Sequence, residues 1–120
     1  MWVLFCSFRE RFLVKKGDSL FPLWTNDVAY FYAEEKLVFA KTKSNQRYII
    51  DFTLDSLETT LNPEIFYWAN RKILLSIECV AQIKNSFNGK LKAFVNPASE
   101  EEIIISREKA QHFKNWLGRK

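Results

Sequence analysis

Asp27-Val28-Ala29-Tyr30-Phe31-Tyr32-Ala33, then Glu34-Glu35-Lys36, then Leu37-Val38-Phe39-Ala40-Lys41, is the stretch that decides the fold. Its first run is dense in β-branched and aromatic residues, which suit a pleated, half-buried surface better than a helix. Three charged residues interrupt it, and a second apolar run of strand length follows at once. The reading is an antiparallel hairpin with a charged tip. Upstream, Arg11 to Lys15 and Leu20 to Thr25 flank the turn cluster Lys16-Gly17-Asp18-Ser19, a second hairpin, with Pro22 expected on an edge or at a bulge. Downstream, Lys43 to Gln46 is a turn and Arg47 to Phe52 another strand.

The apolar period then changes. Leu54, Leu57 and Leu61 share one helical face, Thr53 is placed to cap that helix and Pro63 stops it. Glu64 to Trp68 reads as a helical turn leading into a strand. Ile73 to Ile77 is short and apolar. Val80 to Lys84 and Lys90 to Val95 flank Asn85-Ser86-Phe87-Asn88-Gly89, whose Asn-Gly pair is the strongest hairpin signal in the chain. Asn96 to Glu102 is a polar connection and Ile103 to Ile105 a last strand. Ser106 can cap a terminal helix with Glu108 in its first turn, and Ala110, Phe113 and Leu117, with Trp116 beside them, give that helix an apolar stripe expected to pack into the core. The expected fold is mainly β, with about ten short strands, one short internal helix and a C-terminal helix.

The composition fits one folded domain: 120 residues, 48% hydrophobic and 16% aromatic, with three Gly and three Pro. Eighteen Lys and Arg against fourteen Asp and Glu, a net charge of +4, favour an anionic partner without proving one. Cys6 and Cys79 form no CxxC pair, which reads as two reduced thiols in a cytoplasmic protein. Met1 to Phe8 lacks the basic start and cleavage site of a signal peptide and reads as an edge strand, a linker remnant or a mis-set start. No apolar run approaches the ~18 residues of a membrane span. Residues 1–10 are assigned to an N-terminal extension and 11–120 to the domain.

Enzyme chemistry is not expected. The single histidine, His112, has no second ligand at metal spacing, and GxSxG and phosphate-cradling glycine loops are absent. The paired carboxylates Glu34-Glu35 and Glu100-Glu101-Glu102 fall in predicted exposed turns and read as solvated loop charges, whereas general acid–base work needs carboxylates held in a cleft. No cofactor and no metal are implied.

Four segments carry a resemblance. Asp27 to Glu34 is similar to a "D-I-x-Y-I-E-A-E" strand. Tyr48 to Glu58 holds a strand followed by Thr53-Leu54-Asp55-Ser56-Leu57-Glu58, a "T-L-x-x-L-E" helix start. Phe66-Tyr67-Trp68-Ala69-Asn70-Arg71-Lys72-Ile73-Leu74-Leu75-Ser76 resembles an "F-x-R-x-[HN]-R-x-F" strand, and Ile105-Ser106-Arg107 resembles "V-S-R" before a last helix. In this order, across Arg11 to Leu117, the chain resembles a LytTR-type DNA-binding domain, the output module of LytR/AlgR-family response regulators.

The resemblance implies an elongated β fold that offers loop and strand-edge side chains to successive major grooves of duplex DNA, without a recognition helix. It further implies paired promoter repeats as targets, a homodimer on DNA, and a receiver domain or sensor kinase as partner. Carried over by position, Arg71 is the candidate base reader. Asn70 either reads adenine or ends a turn, and Lys72 is a phosphate contact. Lys36 lies in the region of another contact loop. Arg107 and Lys109 open the last helix, where phosphate contacts and ordinary surface charge compete as readings. Lys90 and Lys92 read as the solvent face of a hairpin. Two departures stand out: Trp68 replaces the arginine of the "F-x-R" element, and Glu108 stands where a basic residue often follows. They motivate an alternative, a protein-interaction module that kept the fold and lost strong DNA binding. Phe87, close to Lys84 and Lys90, motivates a third, stacking on single-stranded nucleic acid.

Overall fold

A computed structural model of the chain describes residues 8–118. Ten strands form three antiparallel sheets. β1 (Arg11–Lys16) pairs with β2 (Ser19–Trp24). A five-stranded sheet holds β3 (Val28–Glu34), β4 (Leu37–Thr42), β5 (Arg47–Ile50), β6 (Phe66–Asn70) and β7 (Ile73–Ser76) in the order β5-β4-β3-β7-β6. A three-stranded sheet holds β8 (Val80–Asn85), β9 (Leu91–Val95) and β10 (Ile103–Ile105) in the order β10-β9-β8. Helix α1 (Leu54–Thr60) lies between β5 and β6, and α2 (Arg107–Leu117) closes the described chain. The molecule is thin in one dimension, 46 × 46 × 24 Å.

Strand alternation sorts the core into two layers, one on each side of the central sheet. On one face Phe31, Ala40, Ile50, Phe66 and Leu74 pack against Phe12, Val14 and Leu23 of the β1–β2 hairpin and Leu54, Leu57 and Leu61 of the α1 region. On the other, Tyr30, Ile73 and Leu75 pack against Leu91, Ala93, Ile103 and Ile105 of the three-stranded sheet and Ala110, Phe113 and Trp116 of α2. The consecutive pair Leu74 and Leu75 therefore serves both layers, which is why Ile73 to Ser76 is apolar without a break. Tyr67 fastens α2 from β6: its ring stacks on Trp116 at 4.8 Å, and its hydroxyl meets His112 Nδ1. The indole Nε1 of Trp116 donates to Pro63 O at 3.1 Å.

The structure moves several expected boundaries. Glu34 ends β3 instead of belonging to the turn, because it still pairs with Leu37. β5 stops at Ile50, opposite Val38 and one residue short of the end of β4, so Phe52 lies beyond the ladder. Asn85 belongs to β8 and Lys90 to the loop. Trp116 is buried, while Leu117 is only partly so. The helical turn expected before β6 is present: Ile65 N and Phe66 N both donate to Asn62 O. Pro22 sits in a two-stranded sheet, where every strand is an edge. The reading of Met1 to Phe8 lies, Phe8 apart, outside the described residues. Arg9 and Glu10, ahead of the expected domain start, are bonded into the domain: Arg9 N donates to Thr60 O at 2.9 Å and Thr25 N to Glu10 O at 2.8 Å. No helix among the described residues is long and apolar enough to cross a membrane.

Candidate nucleic-acid interface

The basic side chains singled out by sequence are held by turns and by one helix start. The β3–β4 connection is a two-residue turn, Glu35-Lys36, closing the Glu34–Leu37 pair. Both residues have positive φ, 51° and 70°. The twist of paired strands favours this mirror-image turn, which normally recruits Asn and Gly. Glu35 and Lys36 hold it at a steric cost of order 1 kcal/mol each. Lys36 is exposed at the tip.

The β6–β7 connection exposes Arg71 and Lys72 between the paired Asn70 and Ile73. The register shifts between Trp68 and Asn70, a bulge that re-aims the strand end. Asn70 Oδ1 accepts from Lys72 N at 2.8 Å, and its Nδ2 donates to Ile104 O at 3.3 Å. Its amide thus closes the turn and ties it to β10, which leaves Arg71 as the free polar group of the pair. Because β3 and β7 are antiparallel neighbours, with Ala33 N donating to Lys72 O at 2.9 Å, the two basic turns lie at the same end of the sheet.

Arg107 opens α2 behind the Ser106 cap, whose Oγ accepts from Lys109 N at 3.3 Å. The Arg107 stem lies over Gly89 of the β8–β9 turn: a Cβ built there would meet Arg107 Cγ and Cδ at 2.9 Å. Glu108 approaches its guanidinium only at 3.9 Å, with both side chains exposed, so that pair holds it weakly. Lys109 is occupied differently. Its ammonium donates to Trp68 O at 2.8 Å beside the Tyr67 ring, and burial pushes its pKa down. Lys109 braces α2 against β6, and Trp68, in the place of the resemblance's arginine, packs half-buried against the α1-side core.

Sequence reasoning missed a cleft of about 840 Å³ between the central sheet and the Asn96–Glu102 connection. One wall carries Lys41, Arg47, Arg71 and Lys72; the other carries Glu100, Glu101 and Glu102. Arg47 bonds Tyr32 Oη at 3.1 Å and Glu34 at 3.3 Å while lying 4.3 Å over the Phe39 ring. Tyr30 Oη donates to Ala98 O at 3.2 Å, and burial foremost, with Tyr32, Cys79 and Glu100 adding, pushes its pKa up to about 12. Lys92 pairs with Glu102 at 2.8 Å. Alternation along the hairpin was the only available signal, since it sets Tyr30, Lys41 and Arg47 side by side on one face. No group of three or more His, Cys, Asp or Glu able to hold a metal occurs among the described residues.

Fold and site together define a class: a small antiparallel β domain whose basic residues Lys36, Arg71 and Lys72 stand on exposed turns at one end of its central sheet. The sequence profile of the LytTr DNA-binding domain matches residues 18–118, and the chain belongs to that family. It is a DNA-binding domain, in a family of DNA-binding folds and not of enzymes. A curated relative, the Sensory transduction protein LytT of Oceanobacillus iheyensis (strain DSM 14371 / CIP 107618 / JCM 11309 / KCTC 3954 / HTE831), is 24% identical over 102 residues, which cover 85% of this chain and 42% of LytT. The chain thus spans less than half the length of that relative. The solved LytTr DNA-binding domain of a putative methyl-accepting/DNA response regulator from Bacillus cereus superposes with a TM-score of 0.77 at 17% identity, covering 92% of this chain and 98% of that one. At that identity the likeness shows the fold.

Proposed function

We propose that the chain binds double-stranded DNA sequence-specifically to regulate transcription in the cytoplasm, as the output domain of a two-component response regulator. The observation that carries this is the placing of the Lys36 and Arg71-Lys72 turns at one end of the central sheet. Arg71 reads a guanine edge in the major groove, where two parallel N–H bonds to O6 and N7 distinguish it from other bases. Lys36, Lys72 and Arg107 neutralise phosphates and fix register. Asn70 and Lys109 act through the elements they brace. A homodimer would place two such ends on the paired repeats of a promoter, and a receiver domain addressed by a sensor kinase would supply the signal.

The test is a selection from random duplex DNA, run with wild type and Arg71→Ala, followed by salt titration. Arg71→Ala should weaken the selected site by about 1–3 kcal/mol and relax one position. Lys36→Ala should lower affinity for all duplexes and reduce the salt slope by about 1. A salt-independent duplex affinity would refute the reading.

A second reading has its own observation. Glu100, Glu101 and Glu102 face Arg71 and Lys72 across the cleft, so carboxylates interrupt the basic surface. A protein-interaction module would use that mixed surface, and it would bind the selected duplex no better than an unrelated one.

A further inference from the structure

Phe87 is 76% exposed, the most exposed large apolar side chain among the described residues. Single surface hydrophobes are common and need no explanation. This one differs in how it is mounted. It stands at the tip of the β8–β9 hairpin, where Asn88 and Gly89 have φ of 58° and 77°. Lys90 N donates to Phe87 O at 3.2 Å, and Ser86 N donates to Lys90 O at 2.8 Å. Two backbone bonds and two left-handed residues therefore fix the Phe87 backbone and leave its ring pointing into solvent.

The surroundings of the ring are cationic. Lys90 is exposed beside it, and the Arg107 stem is laid over Gly89 in the same turn. Arg107 also belongs to a helix start tied to β6, where Lys109 bonds Trp68 O. A fixed, exposed aromatic ring in a turn that also carries Lys90 and the Arg107 stem combines a face for a base with charges for neighbouring phosphates.

We infer that Phe87 is a wedge that stacks on a base step at the flank of the bound duplex reached by the β8–β9 tip, with Lys90 and Arg107 holding neighbouring phosphates. The inference rests on the reading of the chain as a duplex-DNA binder and adds a contact to it. Stacking requires the step to open, so the wedge favours a flexible pyrimidine–purine step, TA or CA, at that flank, and it bends the DNA there.

The test uses the full chain and the duplex that wild type selects, with 2-aminopurine placed in turn at each flanking position. Wild type should raise the fluorescence at one pyrimidine–purine step. Phe87→Ala should abolish that rise and lower affinity roughly five- to a hundredfold, the range expected for one stacked base, while keeping its salt dependence. Phe87→Tyr, which keeps the ring, should retain both signals. Because the side chain is exposed, thermal melting of all three proteins should coincide. Salt-dependent binding with no fluorescent step, or Phe87→Ala equal to wild type, overturns the wedge and leaves the duplex reading standing. Salt-independent binding by wild type overturns both. Loss of affinity for single strands alone would assign the ring to a single-stranded partner and would also overturn the wedge.

Discussion

Replacing Gly89 by alanine tests whether the β8–β9 turn sets the position of Arg107. Two costs are legible. The backbone sits at φ +77°, in the left-handed region, where a Cβ costs about 1 kcal/mol. The new Cβ would also lie 2.9 Å from Cγ and Cδ of Arg107, too close to remain, so the arginine must swing away. Its exposed guanidinium is held only by the long contact to Glu108, so the loss is the partial packing of two methylenes, about 0.5 kcal/mol after allowing for their exposure. The expected total is about 1.5 kcal/mol in the wild-type background. In an Arg107→Ala background only the backbone cost of about 1 kcal/mol remains, because the Arg107 Cβ lies at an ordinary 3.7 Å. Urea unfolding of the four proteins of this cycle measures the difference, a coupling near 0.5 kcal/mol. The same variant should lose duplex affinity about as far as Arg107→Ala does. Equal destabilisation in both backgrounds, or a duplex affinity untouched by Gly89→Ala, would refute the idea that the turn positions the arginine.

Substituting Asn-Gly for Glu35-Lys36 relieves two positive-φ residues and should stabilise the fold by about 1–2 kcal/mol in urea unfolding, while lowering the salt slope of duplex binding; a stability loss would refute the strain assigned to that turn. Lys109→Met leaves Trp68 O without its donor and should destabilise by about 1 kcal/mol with an unchanged salt slope, whereas a slope lowered by about 1 would return Lys109 to the phosphate contacts. Burial pushes the Cys79 thiol up to about 11 from 9.0. The unfolded chain therefore releases that proton first, and stability should fall as pH rises from about 9 to about 11, by roughly 2–3 kcal/mol from this group. In a Cys6→Ser background, Cys79→Ala should remove the fall that begins near pH 9, leaving the later one from the buried Tyr30 hydroxyl, pushed up to about 12.

Turns and helix starts were legible because their chemistry is local. Lys16-Gly17-Asp18-Ser19 and Asn88-Gly89 each specify a reversal with residues that tolerate its backbone, and Thr53 and Ser106 cap the helices they precede. Arg71 was singled out by its position in the resemblance, and the turn that exposes it was legible in Asn70, whose side chain can bond the backbone two residues on. The fate of Lys109 was not legible. Its acceptor, Trp68 O, is 41 residues away in sequence, and nothing near Lys109 distinguishes it from the exposed Lys114 on the same helix. The end of β5 also escaped, because Phe52 lies beyond the reach of its partner β4 yet is as good a β-former as Ile50.

By itself, then, the sequence determined the elements: alternating and continuous apolar runs made strands, leucine spacing made α1, and charged or glycine-bearing breaks made the turns that carry Lys36, Arg71 and Phe87. Only the tertiary structure decided which turns became neighbours. β3 pairs with β7 across α1 and β6, and that pairing puts Lys36 and Arg71 at one end; the packing of the second sheet and α2 sets Glu100 to Glu102 across the cleft and Arg107 on Gly89. The physical reason is that a hairpin is specified by bonds between near residues, whereas sheet order is fixed by which apolar faces can be buried together, a property of the whole chain.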